Sequence, residues 1–190
     1  MIDSERELLI VERIRLKDNR AARDIYDAYA GGLASVCARY ISDDDDLKDV
    51  LQESFIKIFS SLASFTYRGK GSLRAWLTKI AINQSLKFLN DKGRLNFVPL
   101  SSMETDVADT DIDIGPIPDK VLMQMIRDLP PGYRAVFNLY VYEEKSHKEI
   151  AAILNIKENS SASQFHRAKA LLSAKIKDYL KNEITSAYGR

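Results

Sequence analysis

Apolar residues recur along this chain at spacings of three and four, hardly ever in strict alternation, and that is the period of helices. The pattern predicts helices over residues 4–16, 19–41, 47–62 and 72–90 in the first half of the chain. In the second half it predicts 119–129, 132–144, a short helix after Ser146 that ends near Leu154, and a long one over 158–182. Polar residues mark several of the boundaries. Asp18 is placed to cap the second helix and the run SDDDD (42–46) the third, because their oxygens accept the free N–H groups of a helix start. Ser146 and Glu149 form a capping box, Pro130 and Pro131 stop the fifth helix, and Asn155 suits a left-handed turn after the seventh. The pair Gly31 and Gly32 weakens the second helix locally.

Two helices sort their residues sharply by face. Over 47–62, Leu47, Val50, Leu51, Phe55, Ile58 and Leu62 share one side, and Asp46, Asp49, Glu53 and Lys57 fall opposite. That opposite side is either a plain solvated surface or an acidic docking surface for a basic partner helix. Over 72–90, Leu73, Leu77, Ala81 and Phe88 line the core side. Lys79, Asn83, Lys87 and Asn90 fall within an arc of about 80° on the wheel. Trp76 lies in the same arc, where it either joins that surface or is buried against the second helix.

The character changes over 97–119, which holds six acids, no Lys or Arg, and three of the five prolines. Such a stretch is expected to be a flexible acidic linker. The chain is therefore read as all-α, with two small helical domains, 1–96 and 118–190, joined by a linker at 97–117.

Charge refines this picture locally rather than globally. The net charge of the 190 residues is +1, which does not advertise a nucleic-acid partner. Yet residues 65–94 carry seven basic side chains and one acid, with Arg68, Lys70 and Arg74 interleaved among Phe65, Tyr67 and Trp76. Cations between aromatics suit a groove that follows a nucleic-acid backbone and stacks unpaired bases. In the second half, a short helix, a three-residue turn around Ile156 and a longer helix make a helix-turn-helix pattern. The longer helix opens with small polar residues that allow close approach to a major groove. Its candidates for bases and phosphates are Ser160, Ser161, Ser163, Gln164, Arg167 and Lys169.

Other chemistry finds little support. Cys37, His147 and His166 stand at no ligand spacing, and the consecutive carboxylates of 43–46 point in different directions, so neither a metal nor a cofactor is expected. Without a nucleophile–base pair or a glycine-rich phosphate loop, the chain does not read as an enzyme, and a nuclease built on 43–46 is a weak rival. A single cysteine and the lack of a long apolar run predict a cytoplasmic protein with no signal peptide or membrane span.

Taken together, the motifs resemble those of bacterial RNA polymerase sigma factors of the extracytoplasmic-function (ECF) group within the sigma-70 family. DLKDVLQESFIKIF (46–59) is similar to the family's polymerase-binding helix, and GSLRAWLTKIAIN (71–83) to its promoter-melting and −10-reading segment. LPPGYRAVFNLY (129–140), SHKEIAAILNI (146–156) and SQFHRAKALL (163–172) are similar to its −35-binding domain. The chain departs from the usual pattern at Asn155, commonly Gly, at Lys157, commonly a small cap, and at Ser160–Ser161–Ala162, commonly Thr-Val-Lys. The resemblance implies a sigma2-like domain and a sigma4-like helix-turn-helix domain, without a third sigma domain or an autoinhibitory N-terminal one. It implies core RNA polymerase as partner, through the β′ clamp helices and the β flap, with promoter DNA and an anti-sigma factor. Asp46, Asp49, Gln52 and Glu53 would bind the core. Arg68, Lys70, Arg74, Trp76, Lys79, Asn83 and Lys87 would engage the −10 element, and the six candidates of the last helix the −35 element. A stand-alone helix-turn-helix regulator is the alternative reading.

Overall fold

The computed structural model describes residues 4–95 and 117–188, so the acidic stretch 97–117 lies outside it except for Ile117. Every regular element in the described residues is a helix. The chain divides into two compact units, Met1–Asp91 and Lys92–Arg190.

The first unit contains α1 (Ser4–Arg15), α2 (Arg20–Ala38), α3 (Asp44–Ser61), a single 3-10 turn (Leu62–Ser64) and α4 (Ser72–Asp91). Acidic side chains serve two helix starts, although the N-cap position of α2 is Asn19, one residue after the expected Asp18. The Asp43 carboxylate accepts the N–H groups of Asp45 and Asp46, so the acidic run serves the start of α3. Asp18 accepts the Arg20 N–H at 2.9 Å and grips the Arg20 guanidinium as well; these hydrogen bonds hold its carboxyl down to about 2. Helix α2 runs unbroken through Gly31 and Gly32 and buries Ala21, Ile25, Tyr29, Leu33 and Cys37, one residue per turn. An Arg13–Asp24 ion pair links α1 to α2.

Helix α4 packs against both α2 and α3. It accordingly buries Leu73, Leu77, Ala81, Ile82, Ser85, Leu86 and Leu89, a much wider arc than one apolar stripe. Phe88, expected in the core, is only half-buried. The core side is carried by Leu86 and Leu89, which leaves Phe88 at the edge of the α3 contact.

The second unit contains α5 (Asp119–Arg127), α6 (Pro131–Val141), α7 (His147–Leu154) and α8 (Glu158–Tyr188). Met125, Ile126, Leu129, Tyr133, Ala168, Leu172 and Ile176 form its main apolar cluster. Arg134 is buried, and its guanidinium donates to the carbonyls of Arg127 and Leu129, groups that the end of α5 leaves without helical partners. Burial lowers its pKa to about 10. The capping box at Ser146 and Glu149 is present. Asn155 adopts the left-handed conformation, with the Ile156 N–H bonded back to the Ala151 carbonyl at 3.0 Å. Tyr140 and Ile153 stand exposed, although both are apolar residues of the helical pattern. Tyr140 instead stacks on His147 and Phe165 at 4.8 and 4.2 Å, an aromatic cluster that joins α6, α7 and α8 near the surface.

Candidate nucleic-acid interface

The loop 65–72 and α4 form the basic surface of the first unit. Gly69 and Gly71 have φ of +113° and +83°, values that only glycine takes without strain. They let the loop double back so that the Ser72 N–H reaches the Gly69 carbonyl at 3.1 Å. The Ser72 hydroxyl in turn accepts the Arg68 N–H at 3.2 Å. Arg68 and Lys70 stand exposed, as do Lys79, Asn83 and Lys87 along one side of α4. Trp76 is half-buried, with its ring packed on Phe65 at 5.3 Å. Its indole therefore contacts the start of the loop while part of the side chain remains accessible. Arg74 is exposed but diverges from this stripe: it lies close enough to Tyr29 on α2 to act on its hydroxyl electrostatically. The first turn of α4 thus points Arg74 away from the arc shared by Trp76, Lys79, Asn83 and Lys87.

Asp49, Gln52 and Glu53 come together as expected from their spacing on α3. With Gln84, Lys87, Phe88 and Asp91 of α4 they line a groove of about 410 Å³. Asp46 lies outside this lining, close to the start of α3. Sequence reasoning missed the contribution of α4 to this groove. The signal was available, since Gln84, Lys87, Phe88 and Asp91 recur at three and four.

In the second unit, α7 and α8 meet as a helix-turn-helix. Two of the expected DNA contacts are corrected by their burial. Ser161 is 0% exposed and its hydroxyl meets His147 Nδ1 at 3.0 Å, while Gln164 is 2% exposed. Both continue the inward stripe set by Ala168 and Leu172, so neither side chain faces outward. Ser160, Ser163 and Arg167 are half-buried, and exposed Lys169 lies over the Phe165 ring at 5.9 Å. The outward face of α8 instead includes Asn159, Ala162 and His166, which sequence reasoning did not assign to DNA.

Among the described residues no group of His, Cys, Asp and Glu is arranged to hold a metal ion, and no helix is long and apolar enough to cross a membrane. Within the acidic run 43–46, Asp43 caps α3, Asp44, Asp45 and Asp46 lie in its first turn, and Asp45 pairs with Lys48.

Comparison with known proteins adds independent information. Residues 25–95 match the family model for sigma-70 region 2, and residues 119–172 match that for sigma-70 region 4. An ECF RNA polymerase sigma-E factor of Haemophilus influenzae is 28% identical over 179 residues, which span 88% of this chain and 93% of its own. The ECF RNA polymerase sigma-E factor of Escherichia coli is 27% identical, over 91% of this chain and 95% of its own. The RNA polymerase sigma-H factor of Pseudomonas aeruginosa is 26% identical, over 95% and 99%. Among solved structures, that of CnrH in complex with the cytosolic domain of CnrY covers 93% of this chain and 99% of its own, at 21% identity and a TM-score of 0.49.

Proposed function

Because the chain belongs to the sigma-70 family of transcription initiation factors, as a sigma factor of the ECF type, we propose how its surfaces divide the work. The first unit docks on core RNA polymerase through the groove between α3 and α4, and opens the −10 element with the loop 65–72 and the outward stripe of α4. The second unit reads the −35 duplex with the outward face of α8.

One observation carries this reading. Lys87 belongs to the exposed stripe and also lines the groove that holds Asp49, Gln52 and Glu53. The surface for polymerase and the surface for DNA are therefore contiguous, which suits a factor that opens DNA only in the company of polymerase. Asp49 and Glu53 offer carboxylates to basic side chains of the β′ clamp helices, and the β flap is the expected partner of the second unit. An anti-sigma factor is the expected antagonist, and the cytoplasm the place of action.

Opening needs no hydrolysis on this account. Unstacking a base costs a few kcal/mol. Stacking on an aromatic face, that of Tyr67 or of half-buried Trp76, returns roughly 1–3 kcal/mol per base, and Lys79, Asn83 and Lys87 add contacts to the phosphates and base edges. The open strand is thus favoured because a base still paired in the duplex cannot stack on these rings.

The test is transcription itself. Purified protein added to sigma-free core polymerase should give run-off transcripts from a subset of genomic promoter fragments. No stimulation on any fragment would overturn the proposal and favour a stand-alone helix-turn-helix regulator.

A further inference from the structure

We infer that Glu7 of α1, a helix outside the matched region 2, is a positioning residue for promoter opening: its carboxylate fixes the backbone of the loop that receives the unpaired strand. This rests on the role proposed above for the loop 65–72 and α4.

Glu7 is 6% exposed. Its two oxygens accept the Gly71 N–H at 2.8 and 3.1 Å and the Leu73 N–H at 3.1 Å. The need for them follows from the local sequence. Helix α4 starts at Ser72, which leaves Gly71 at the capping position. A glycine there satisfies the backbone turn at φ +83° but brings no side-chain oxygen to the first N–H groups of the helix. Glu7 supplies that oxygen from another helix and places a negative charge at the positive end of α4. A carboxylate taken out of water is costly unless several donors hold it, and the backbone N–H groups of Gly71 and Leu73 do so. The charge is felt beyond the loop. Burial, and after it Glu7, push the Tyr29 hydroxyl up to about 12, while Arg74 and Arg6 act in the opposite sense.

The loop is thus tied at two points, at Gly71 by Glu7 and at Arg68 by the Ser72 hydroxyl. Between these ties stand the exposed side chains of Arg68 and Lys70. Released from Glu7, a segment with glycines at 69 and 71 gains many backbone conformations, and strand capture has to order it again. The cost falls on binding the single strand, not on docking to polymerase.

The experiment uses holoenzyme reconstituted from the full chain and core polymerase. The probe is a short fluorescein-labelled single strand carrying the −10 segment of a promoter found by run-off transcription. Glu7→Ala should weaken its binding about tenfold while core affinity stays within about twofold. Glu7→Gln, which keeps the shape and one acceptor oxygen, should fall between. Hydrogen exchange at the Gly71 and Leu73 amides should accelerate in the same order. A role confined to holding up the first unit would lower core affinity in step with strand binding, and that result would overturn the inference. Arg68→Ala and Lys87→Ala are measured alongside. If they weaken strand binding and neither Glu7 variant does, the role of Glu7 is refuted with the loop reading intact. If none of the variants weakens it, the loop reading itself falls, and the inference with it.

Discussion

Helices α4 and α8 are packed from different directions, and the difference decides which of their polar residues reach the outside. Helix α4 lies against both α2 and α3 and is buried over a wide arc, and past its first turn the exposed positions gather on one outward strip. Lys79, Asn83 and Lys87 occupy that strip because long charged and amide side chains have nowhere else to go. Helix α8 packs against α6 and α7, with Ser161 and Gln164 buried and Asn159, Ala162 and His166 exposed near its start. Small or flexible polar residues can be accommodated there, and Ser161 and Gln164 are both turned inward. Polarity therefore reports exposure where the alternative is burial of a charge, and reports little for Ser or Gln. The phase of the apolar residues is the better guide. Ala168, Leu172 and Ile176 fix the inward side of α8, and Ser161 and Gln164 lie on its continuation towards the N-terminus.

The sharpest way to separate the two units is to remove the polymerase from the first. Asp49→Lys combined with Glu53→Lys reverses the charge of the groove, and should abolish core binding with the helical content unchanged. Normal core affinity for this double variant, measured by fluorescence titration, would remove the groove from the account.

The next effect distinguishes the outward from the inward side of α8. Asn159→Ala combined with His166→Ala should weaken binding of the −35 duplex roughly tenfold, the order expected for one lost base contact. Gln164→Leu should leave that affinity within about twofold, since the Gln164 Oε1 finds no hydrogen-bond partner among the described residues. The opposite ranking would mean that α8 rotates on binding DNA.

The smallest effect is electrostatic and local to each unit. The backbone N–H of Ser146, and then its hydroxyl, hold the Glu149 carboxyl below its ordinary value of 4.5. A depressed pKa in the folded state means stability that is present above the unfolded value and lost as pH falls. Ser146→Ala should lower the thermal midpoint of the second unit by a few degrees near neutrality, with the gap narrowing but not vanishing as pH falls below about 4.5, because the Ser146 hydroxyl also accepts the Glu149 N–H and that bond does not titrate. A gap independent of pH would exclude this coupling. In the first unit, the Asp18 contribution should fade lower, between 3.8 and about 2, and should be insensitive to Ser146→Ala.

Much of this molecule was legible in the sequence because its helices begin and end on local chemistry. The caps at Asp43 and Ser146 and the left-handed Asn155 each depend on one or two neighbouring residues. So does the outward stripe of α4, which follows from wheel geometry and the cost of burying charge. What was not legible depends on contacts distant in the chain. Nothing near Gly71 announces that its N–H belongs to Glu7, more than sixty residues earlier. Likewise, the expected place of Phe88 in the core failed because a second helix packs on α4 and shifts its buried arc. The surface cluster around Tyr140 was hidden for a related reason: its partners, His147 and Phe165, are supplied by two other helices.

The most direct test is permanganate reactivity of thymines in a holoenzyme–promoter complex, wild type against Asn83→Ala combined with Lys87→Ala. The wild-type complex should show reactive, unpaired thymines at the −10 element. The double variant should lose most of that reactivity while protection of the −35 element persists. Equal reactivity in both, or loss of −35 protection in step with it, would contradict the claim that the outward face of α4 opens the promoter.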